Sequence, residues 1–242
     1  MRGLTLQLLR QSHDEGQLGL AVAGLSKNPV KASAHLAHFN DEGIMPHPHP
    51  EKIRALNYLK RKGSESPIEL LRVRIAESFA DLETVIATVP PSLRKQSPGP
   101  GRWSAQEIVD HLIESDRPAI GQLEALLKGQ QPETRAIPAS LQSRDPLLHN
   151  WDELVVELAR VHACLITLLE HASDSCSLEV RAPVTLVIKV GEPGEKQDSL
   201  EWVEELDWKA FAQTLRVHTI EHRSQIERTL RELSDLVVGA ES

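Results

Sequence analysis

Four stretches of the chain after residue 66 repeat apolar residues every three or four positions, which is the period of an α-helix that buries one face. The first stretch stops at Pro90-Pro91, because proline cannot continue a helix. We therefore predict four amphipathic helices. Their apolar positions, in order, are Leu71, Ile75, Phe79, Leu82 and Ile86; Ile108, Leu112, Ala119, Leu123 and Leu126; Leu154, Leu158, Val161, Leu165 and Leu168; and Phe211, Leu215, Ile226, Leu230 and Leu233.

Residues that commonly cap helices precede each of these stretches. Ser66, Ser104 and Asn150 each stand three positions before a glutamate, as in a capping box, and Asp207 precedes the fourth stretch. Four helices that each hide one apolar stripe most simply form a four-helix bundle. The predicted fold class is therefore all-α.

Two connections between the helices are longer than an ordinary turn. The segment between residues 128 and 149 contains Pro132, Pro138 and Pro146, which break any helical pattern. Between the third and fourth helices, "VTLVIKV" alternates with a period of two, which predicts a short strand or hairpin as a β insertion. Both connections either cover one mouth of the bundle or are surface additions without a role.

The first 65 residues follow a different pattern. No cap and no sustained stripe organises residues 1–44, so we predict that Met45 is the natural start and that an N-terminal extension precedes it. Residues 45–65 are expected to form a linker and a short basic helix, residues 66–236 the bundle, and residues 237–242 a C-terminal tail.

Composition narrows the classes of function. The net charge of −8, from 27 basic and 35 acidic residues, disfavours a nucleic-acid partner, since such proteins usually carry a basic excess. Cys164 and Cys176 form no C-x-x-C pair, which favours a reducing cytosol. No run approaches the roughly 20 apolar residues that span a bilayer. We expect a cytoplasmic protein without a membrane partner.

Three histidines occupy positions where an aliphatic residue would face the core. His218 and His222, in "RVHTIEHRSQ", continue the stripe of the fourth helix, and His111 does the same in the second. A buried imidazole without partners costs about 1 to 3 kcal/mol. Residues four apart on a helix lie about 6 Å apart on one face, so both imidazoles can bind one ion. Three neutral imidazoles suit a divalent ion such as zinc or nickel and leave a coordination position open.

Other interpretations of these histidines remain open at this point. All three would also fit as hydrogen-bonded core residues, and His162, which borders the stripe of the third helix, is a rival ligand. With Glu221, the pattern H-x-x-E-H matches the inverted zinc peptidases. A peptidase of that type needs a further ligand far downstream and a large chamber, and only 20 residues follow His222. We therefore set the peptidase aside.

Two segments resemble a known family. "RWSAQEIVDHLIESD" (Arg102 to Asp116) is similar to the W-[ST]-x-x-E-x-x-x-H-[LI] segment of the DinB-like metal-binding superfamily of four-helix bundles, and "FAQTLRVHTIEHRSQIERTL" (Phe211 to Leu230) resembles its closing H-x-x-x-H-x-x-Q-[IL] helix. The resemblance covers about residues 66 to 236. It implies His111, His218 and His222 as metal ligands. Trp103 and Gln225 match positions that support the ligands or the packing in that family.

Two hypotheses of function follow. The first is a metal-dependent enzyme acting on a small-molecule substrate, either a transferase that uses a low-molecular-weight thiol, as the resemblance implies, or a hydrolase that uses metal-activated water. Glu221 and Glu114, each three residues after a candidate ligand, are its candidate bases or ligand-orienting groups, or else solvated acids. The second is a non-catalytic bundle that acts as a binding or stress-response protein. A spare helix face also allows a homodimer.

Overall fold

The structure is a computed structural model, and it describes residues 20–21, 49–190 and 198–240. Within these ranges the chain forms five α-helices and three β-strands. In chain order they are β1 (Leu20–Ala21), α1 (Pro50–Leu59), α2 (Ile68–Ala87), α3 (Ala105–Leu127), α4 (Trp151–Glu170), β2 (Ala182–Val190), β3 (Asp198–Leu206) and α5 (Trp208–Ala240). A π-helical turn (Lys60–Ser64) follows α1, and a 3₁₀ turn (Pro146–Leu148) precedes α4.

Helices α2 to α5 form the predicted bundle. Helices α2 and α3 each pack against both α4 and α5. The predicted stripes line the core, with Leu168 and Leu230 only partly buried. The predicted bundle with a β insertion is therefore confirmed. The predicted extension lies outside the described residues except for β1, and the predicted domain boundaries remain predictions, with α5 running on to Ala240.

Three of the four predicted caps are present. Ser104 accepts from the backbone N–H of Glu107, whose carboxylate accepts from the backbone N–H of Ser104, so this capping box is complete. The side chain of Asn150 accepts two backbone N–H groups of the first turn of α4. Asp207 accepts from the backbone N–H groups of Lys209 and Ala210, each at 3.0 Å.

The predicted capping box at Ser66 is wrong. Helix α2 begins at Ile68 behind Pro67, and the Ser66 hydroxyl instead donates to the carbonyl of Lys62 at 2.8 Å. The free N–H of Ile68 donates to the carboxylate of Asp174, at 3.1 Å. A carboxylate from the segment after α4 therefore replaces the local serine as the cap.

The two long connections meet on the same side of the bundle. Strands β2 and β3 form an antiparallel hairpin from the pair Ala182↔Leu206 to the pair Val190↔Asp198, and β1 pairs with the other edge of β2. Val187 of β2 packs against Ala139 of the segment between α3 and α4. This contact helps to bury Val187, which lies on the opposite face of β2 from Leu186 and Ile188.

The core consists of two large apolar clusters in the part of the chain that the structure describes. One holds the second half of α3 and the first half of α5, with α1 and the hairpin, and the other holds the first half of α3 with Trp103 and Ile226. Along α5, His218 and His222 lie between the residues of the two clusters, and His111 lies among the α3 residues of the second cluster. None of the described helices has the length and apolar character to cross a membrane.

Candidate metal centre

Three buried histidines come together where α3 and α5 pack against each other. His111 projects from α3, and His218 and His222 project from successive turns of α5; their exposed fractions are 0%, 3% and 0%. One ring nitrogen from each lies within 4.8 Å of the others. The ring centroids are 5.1 Å apart for His111 and His218, 4.8 Å for His111 and His222, and 4.5 Å for His218 and His222.

Each of the three rings has an acceptor beside its Nδ1 atom. His111 Nδ1 donates to the carbonyl oxygen of Leu141 at 2.6 Å, and His222 Nδ1 to the side-chain oxygen of Gln225 at 2.8 Å. His218 Nδ1 lies 3.4 Å from a carboxylate oxygen of Asp116. A backbone carbonyl, an amide oxygen and a carboxylate are the groups that commonly hold a metal-binding histidine by its second nitrogen.

These acceptors determine which nitrogens face inward without a proton. A carbonyl oxygen only accepts, so the neutral His111 ring carries its hydrogen on Nδ1 and a lone pair on Nε2. The Nε2 atoms of His111 and His218 are 3.0 Å apart. Two lone pairs at this distance repel each other, so a proton or a cation lies between them. Asp116 favours the hydrogen of His218 on Nδ1, and therefore favours the cation.

The spacing of the His111 and His218 nitrogens also suits one ion. Two nitrogens bound at about 2.0 to 2.1 Å to the same ion are about 3 Å apart when the angle between the bonds is near a right angle. The distance of 3.0 Å between His111 Nε2 and His218 Nε2 matches that value. Trp103 packs against the site, with its ring 4.9 Å from that of His111 and 6.2 Å from that of His222. The residues present therefore fit a divalent ion.

The structure does not bring the two predicted acids into this group. Glu114 pairs with Arg117 at 2.7 Å, and Glu221 pairs with Lys189 of β2 at 3.4 Å. Both side chains are partly exposed, and neither belongs to the histidine group. Their catalytic role remains a prediction.

The rival histidine lies elsewhere. His162 stacks on Phe79 with ring centroids 3.9 Å apart, and its Nδ1 is 2.7 Å from a carboxylate oxygen of Glu83. It is not part of the group formed by the other three histidines. A hydrogen bond with a partly exposed glutamate and an aromatic stack account for its position on the buried face of α4.

A cavity adjoins the centre on the side of the two long connections. Its lining includes His218 and Asp116 from the centre, Ile137 and Pro138 from the segment between α3 and α4, and Val184 from β2. Both connections therefore form walls beside the candidate ligands. The sequence left open whether the two long connections cover one mouth of the bundle or are surface additions without a role. The structure supports the covering role.

Two residues that contact the candidate ligands, Asp116 and Leu141, were not predicted from the sequence. Asp116 follows Leu112 by four positions and precedes Ala119 by three, so it occupies a stripe position and is 1% exposed. The rule that singled out the histidines, a polar residue in an apolar stripe, would have found it. No sequence signal pointed to Leu141, which lies in an irregular segment and contributes a backbone atom.

The bundle and its three buried histidines define a candidate metal-binding helical protein. The model of the DinB superfamily matches residues 74–226, which is more than half of the 242 residues, and the chain belongs to this superfamily. Among solved structures, YfiT from Bacillus subtilis, described as a probable metal-dependent hydrolase with an unusual four-helix bundle topology, is similar with a TM-score of 0.48 and 16% identity. That similarity covers 69% of this chain and 87% of YfiT. The search of curated proteins gave no match.

Proposed function

We propose that the protein is a metal-dependent enzyme in which His111, His218 and His222 hold one divalent ion, zinc or nickel, beside a substrate cavity. The observation that carries the proposal is the contact between the Nε2 atoms of His111 and His218, 3.0 Å apart, with acceptors placed at the opposite nitrogens. Three protein ligands leave at least one coordination position for water or substrate, as in catalytic rather than structural sites.

The chemistry divides into two variants. A divalent ion bound there would lower the pKa of a water or a thiol and so supply a nucleophile near neutral pH. With water the reaction is a hydrolysis; with a low-molecular-weight thiol it is a group transfer to that thiol. In both variants the substrate is a small molecule, since the adjoining cavity has a volume of only about 50 Å³.

The chain's own residues have separate parts in this proposal. Leu141 and Gln225 hold the rings of His111 and His222 by Nδ1, and a carboxylate oxygen of Asp116 lies beside Nδ1 of His218, so that Nε2 of His111 would be free to hold the ion. Glu114 and Glu221 lie outside the histidine group and remain candidates for proton transfer, each paired with a basic side chain. If either residue moves protons, its replacement by glutamine lowers turnover and leaves the metal content unchanged.

Elemental analysis of the full chain, purified without a His-tag, tests the metal centre. We expect one zinc or nickel ion per chain in the wild type and its loss in His218→Ala. The matched control is His171→Ala, because His171 is an exposed histidine whose Nδ1 donates to the carbonyl of Thr167 at 2.7 Å. Absence of metal from the wild type, even after reconstitution, would contradict the proposal and favour the non-catalytic binding bundle.

A cobalt-substituted sample distinguishes the thiol-dependent transferase from the hydrolase that uses water. Adding small thiols, such as 2-mercaptoethanol and cysteine, should change the visible spectrum of the cobalt if a thiol occupies the open position. An unchanged spectrum across the thiol series, together with stoichiometric metal, would remove the transferase variant and leave hydrolysis.

A further inference from the structure

The carbonyl that supports His111 lies in an irregular part of the chain. Residues 141–145, in the connection between α3 and α4, belong to no helix or strand. The carbonyl of Leu141, which accepts from His111 Nδ1 at 2.6 Å, begins this stretch. Outside helices and sheets no regular ladder of hydrogen bonds fixes the backbone. The position of this carbonyl therefore depends on contacts with other elements.

Asp110, which directly precedes His111 on α3, holds this stretch through its carboxylate. Its Oδ2 accepts the backbone N–H of Ser143 at 2.9 Å, and the residue is only 2% exposed. A hydrogen bond to a carboxylate is charge-assisted and stronger than one between neutral groups. The other oxygen, Oδ1, lies 3.7 Å from His149 Nε2, and that nitrogen is 3.0 Å from the hydroxyl oxygen of Ser143.

The bonds of Asp110 and His111 act on neighbouring peptide units. The carbonyl of Leu141 belongs to the peptide between residues 141 and 142, and the N–H of Ser143 belongs to the next one. Because each peptide unit is planar, only the two backbone torsions of Gln142 separate the two groups. Fixing the Ser143 N–H therefore restricts the direction in which the Leu141 carbonyl points.

Two glutamines hold the same segment less directly. Gln142 Nε2 donates to a backbone carbonyl of α3 at 2.8 Å, and Gln106 Nε2 donates to two carbonyls within residues 146–149, at 2.9 and 3.1 Å. The first bond reaches the backbone only through a flexible side chain, and the others act well beyond Leu141. Apart from the histidine itself, Asp110 is therefore the side chain of α3 that acts most directly on this carbonyl.

We propose that Asp110 is a positioning residue of the metal centre, which holds the Leu141 carbonyl at His111 Nδ1 and so leaves Nε2 of that ring available to the ion. Asp110 acts through the backbone of residues 141–143 and touches neither ion nor substrate. The proposal rests on the proposed function in one respect, because it assigns the held ring to metal binding. The hold on the ring itself does not depend on the ion.

Nuclear magnetic resonance of the full chain, after treatment with a chelator, tests the hold on the ring. A buried, hydrogen-bonded Nδ1–H of His111 should give a slowly exchanging proton signal, assigned by its absence from His111→Asn. We expect Asp110→Ala to lose this signal, whereas Asp110→Asn keeps an acceptor oxygen for Ser143 and should retain it. An unchanged His111 signal in Asp110→Ala, or fast exchange of the Ser143 amide in the wild type, would overturn the proposal.

Zinc affinity, measured by competition with a chromophoric chelator, tests the link to the metal. We expect Asp110→Ala to weaken zinc binding by about tenfold, the lower end of the range for a lost partner of a metal-binding histidine. Asp110→Asn should weaken it less. The matched control is Asp207→Ala, because Asp207 is also a buried aspartate that accepts backbone N–H groups, at the start of α5.

The control separates positioning from general stability. Asp207→Ala should lower the free energy of unfolding and leave both the zinc affinity and the His111 signal unchanged, because Asp207 lies about three turns before His218 on α5. An equal loss of zinc affinity in Asp207→Ala and Asp110→Ala would mean that destabilisation alone weakens the site, and would overturn the proposal.

The two measurements also separate this inference from the metal proposal. No zinc binding by the wild type contradicts the proposed function, and the His111 signal then decides whether Asp110 holds the ring. Loss of the signal in Asp110→Ala with unchanged zinc affinity would overturn the role of Asp110 in metal binding alone. If Asp110→Ala fails to fold, Asp110→Val replaces it as a variant without an acceptor, and the exchange rate of the Ser143 amide in the wild type decides in any case.

Discussion

Gln225 Oε1 accepts a hydrogen bond from His222 Nδ1 at 2.8 Å, one turn further along the same helix. The bond fixes the ring of His222 with its other nitrogen turned away from Gln225. Because both residues belong to α5, this hydrogen bond orients the candidate ligand from within a single helix.

Replacing Gln225 should weaken metal binding without removing a ligand. We expect Gln225→Leu to lower metal affinity by about 10- to 100-fold, as is typical when a hydrogen-bond partner of a metal-binding histidine is lost. Gln225→Glu keeps an acceptor at the same place and should retain the affinity of the wild type or exceed it. Competition with a chromophoric chelator measures both variants, and equal affinity in Gln225→Leu and wild type would show that the bond does not hold the ligand.

The contact between the π-helical turn and α5 predicts a second result. A methyl carbon added to Gly63 would lie 2.7 Å from the Cα of Ala210, which is backbone and cannot turn aside. We expect Gly63→Ala to destabilise the fold by roughly 1 to 3 kcal/mol, as overpacking does. Gly121→Ala is the matched control, because nothing lies within 4 Å of its added carbon in α3, and it should stabilise the helix by about 0.5 to 1 kcal/mol. Urea unfolding measures the stability of both variants. An unchanged free energy of unfolding in Gly63→Ala would mean that the π-helical turn shifts away from α5 without cost.

We expect Asp174, which lies outside the bundle helices, to contribute to the stability of the fold. It accepts from the N–H of Ile68 at the start of α2 and pairs with the largely buried ammonium of Lys209. The hydrogen bond from Lys209 holds the pKa of Asp174 below its ordinary value. Asp174→Ala should lower the melting temperature, because it leaves a helix end and an ammonium group each without this partner.

Asp174→Asn separates the two roles. The asparagine can still accept from Ile68 but carries no charge for Lys209, so its melting temperature should lie between those of the wild type and Asp174→Ala. Equal melting temperatures in all three proteins would show that solvent replaces both contacts.

The ion pairs of Glu157 predict a dependence on pH. A hydrogen bond from Arg160, with a further one from Arg117 of α3, lowers the pKa of Glu157 to about 2 from its ordinary 4.5. A lowered pKa means that the pairs contribute fully above pH 4.5 and that the contribution is lost as the pH falls through about 2. Because the pairs are partly exposed, we expect Glu157→Gln to cost only about 0.2 to 1 kcal/mol at pH 7.

The difference in unfolding free energy between wild type and Glu157→Gln should therefore shrink as the pH falls from 7 to 3. Glu133→Gln, in the exposed part of the segment after α3, controls for the loss of one negative charge. A difference that grows on acidification would contradict the assigned direction of the pKa shift.

Helical periodicity explains what could be predicted from the sequence. The positions of His111, His218 and His222 followed from the stripes, since a helix fixes which residues share a face. Ser104, Asn150 and Asp207 cap their helices through local bonds, which depend on neighbouring residues alone. Such features need no knowledge of the tertiary fold.

The errors and omissions have a different physical origin. The cap of α2 comes from Asp174, which is 106 residues away from Ile68. A tertiary contact therefore takes the place that the sequence had assigned to Ser66. The carbonyl of Leu141 belongs to a proline-rich segment without periodicity, and its position depends on how that segment folds back onto α3.

The helices and the two long connections supply different parts of the candidate site. The helices carry the histidines, whereas residues 128–149 and the β2–β3 hairpin supply walls of the cavity. Sequence changes at Ile137 or Val184 would then alter which molecule is accepted and leave the ligands in place. Under the proposed function, selectivity would then diverge among proteins that keep the same three histidines, provided that the carbonyl at Leu141 still reaches His111.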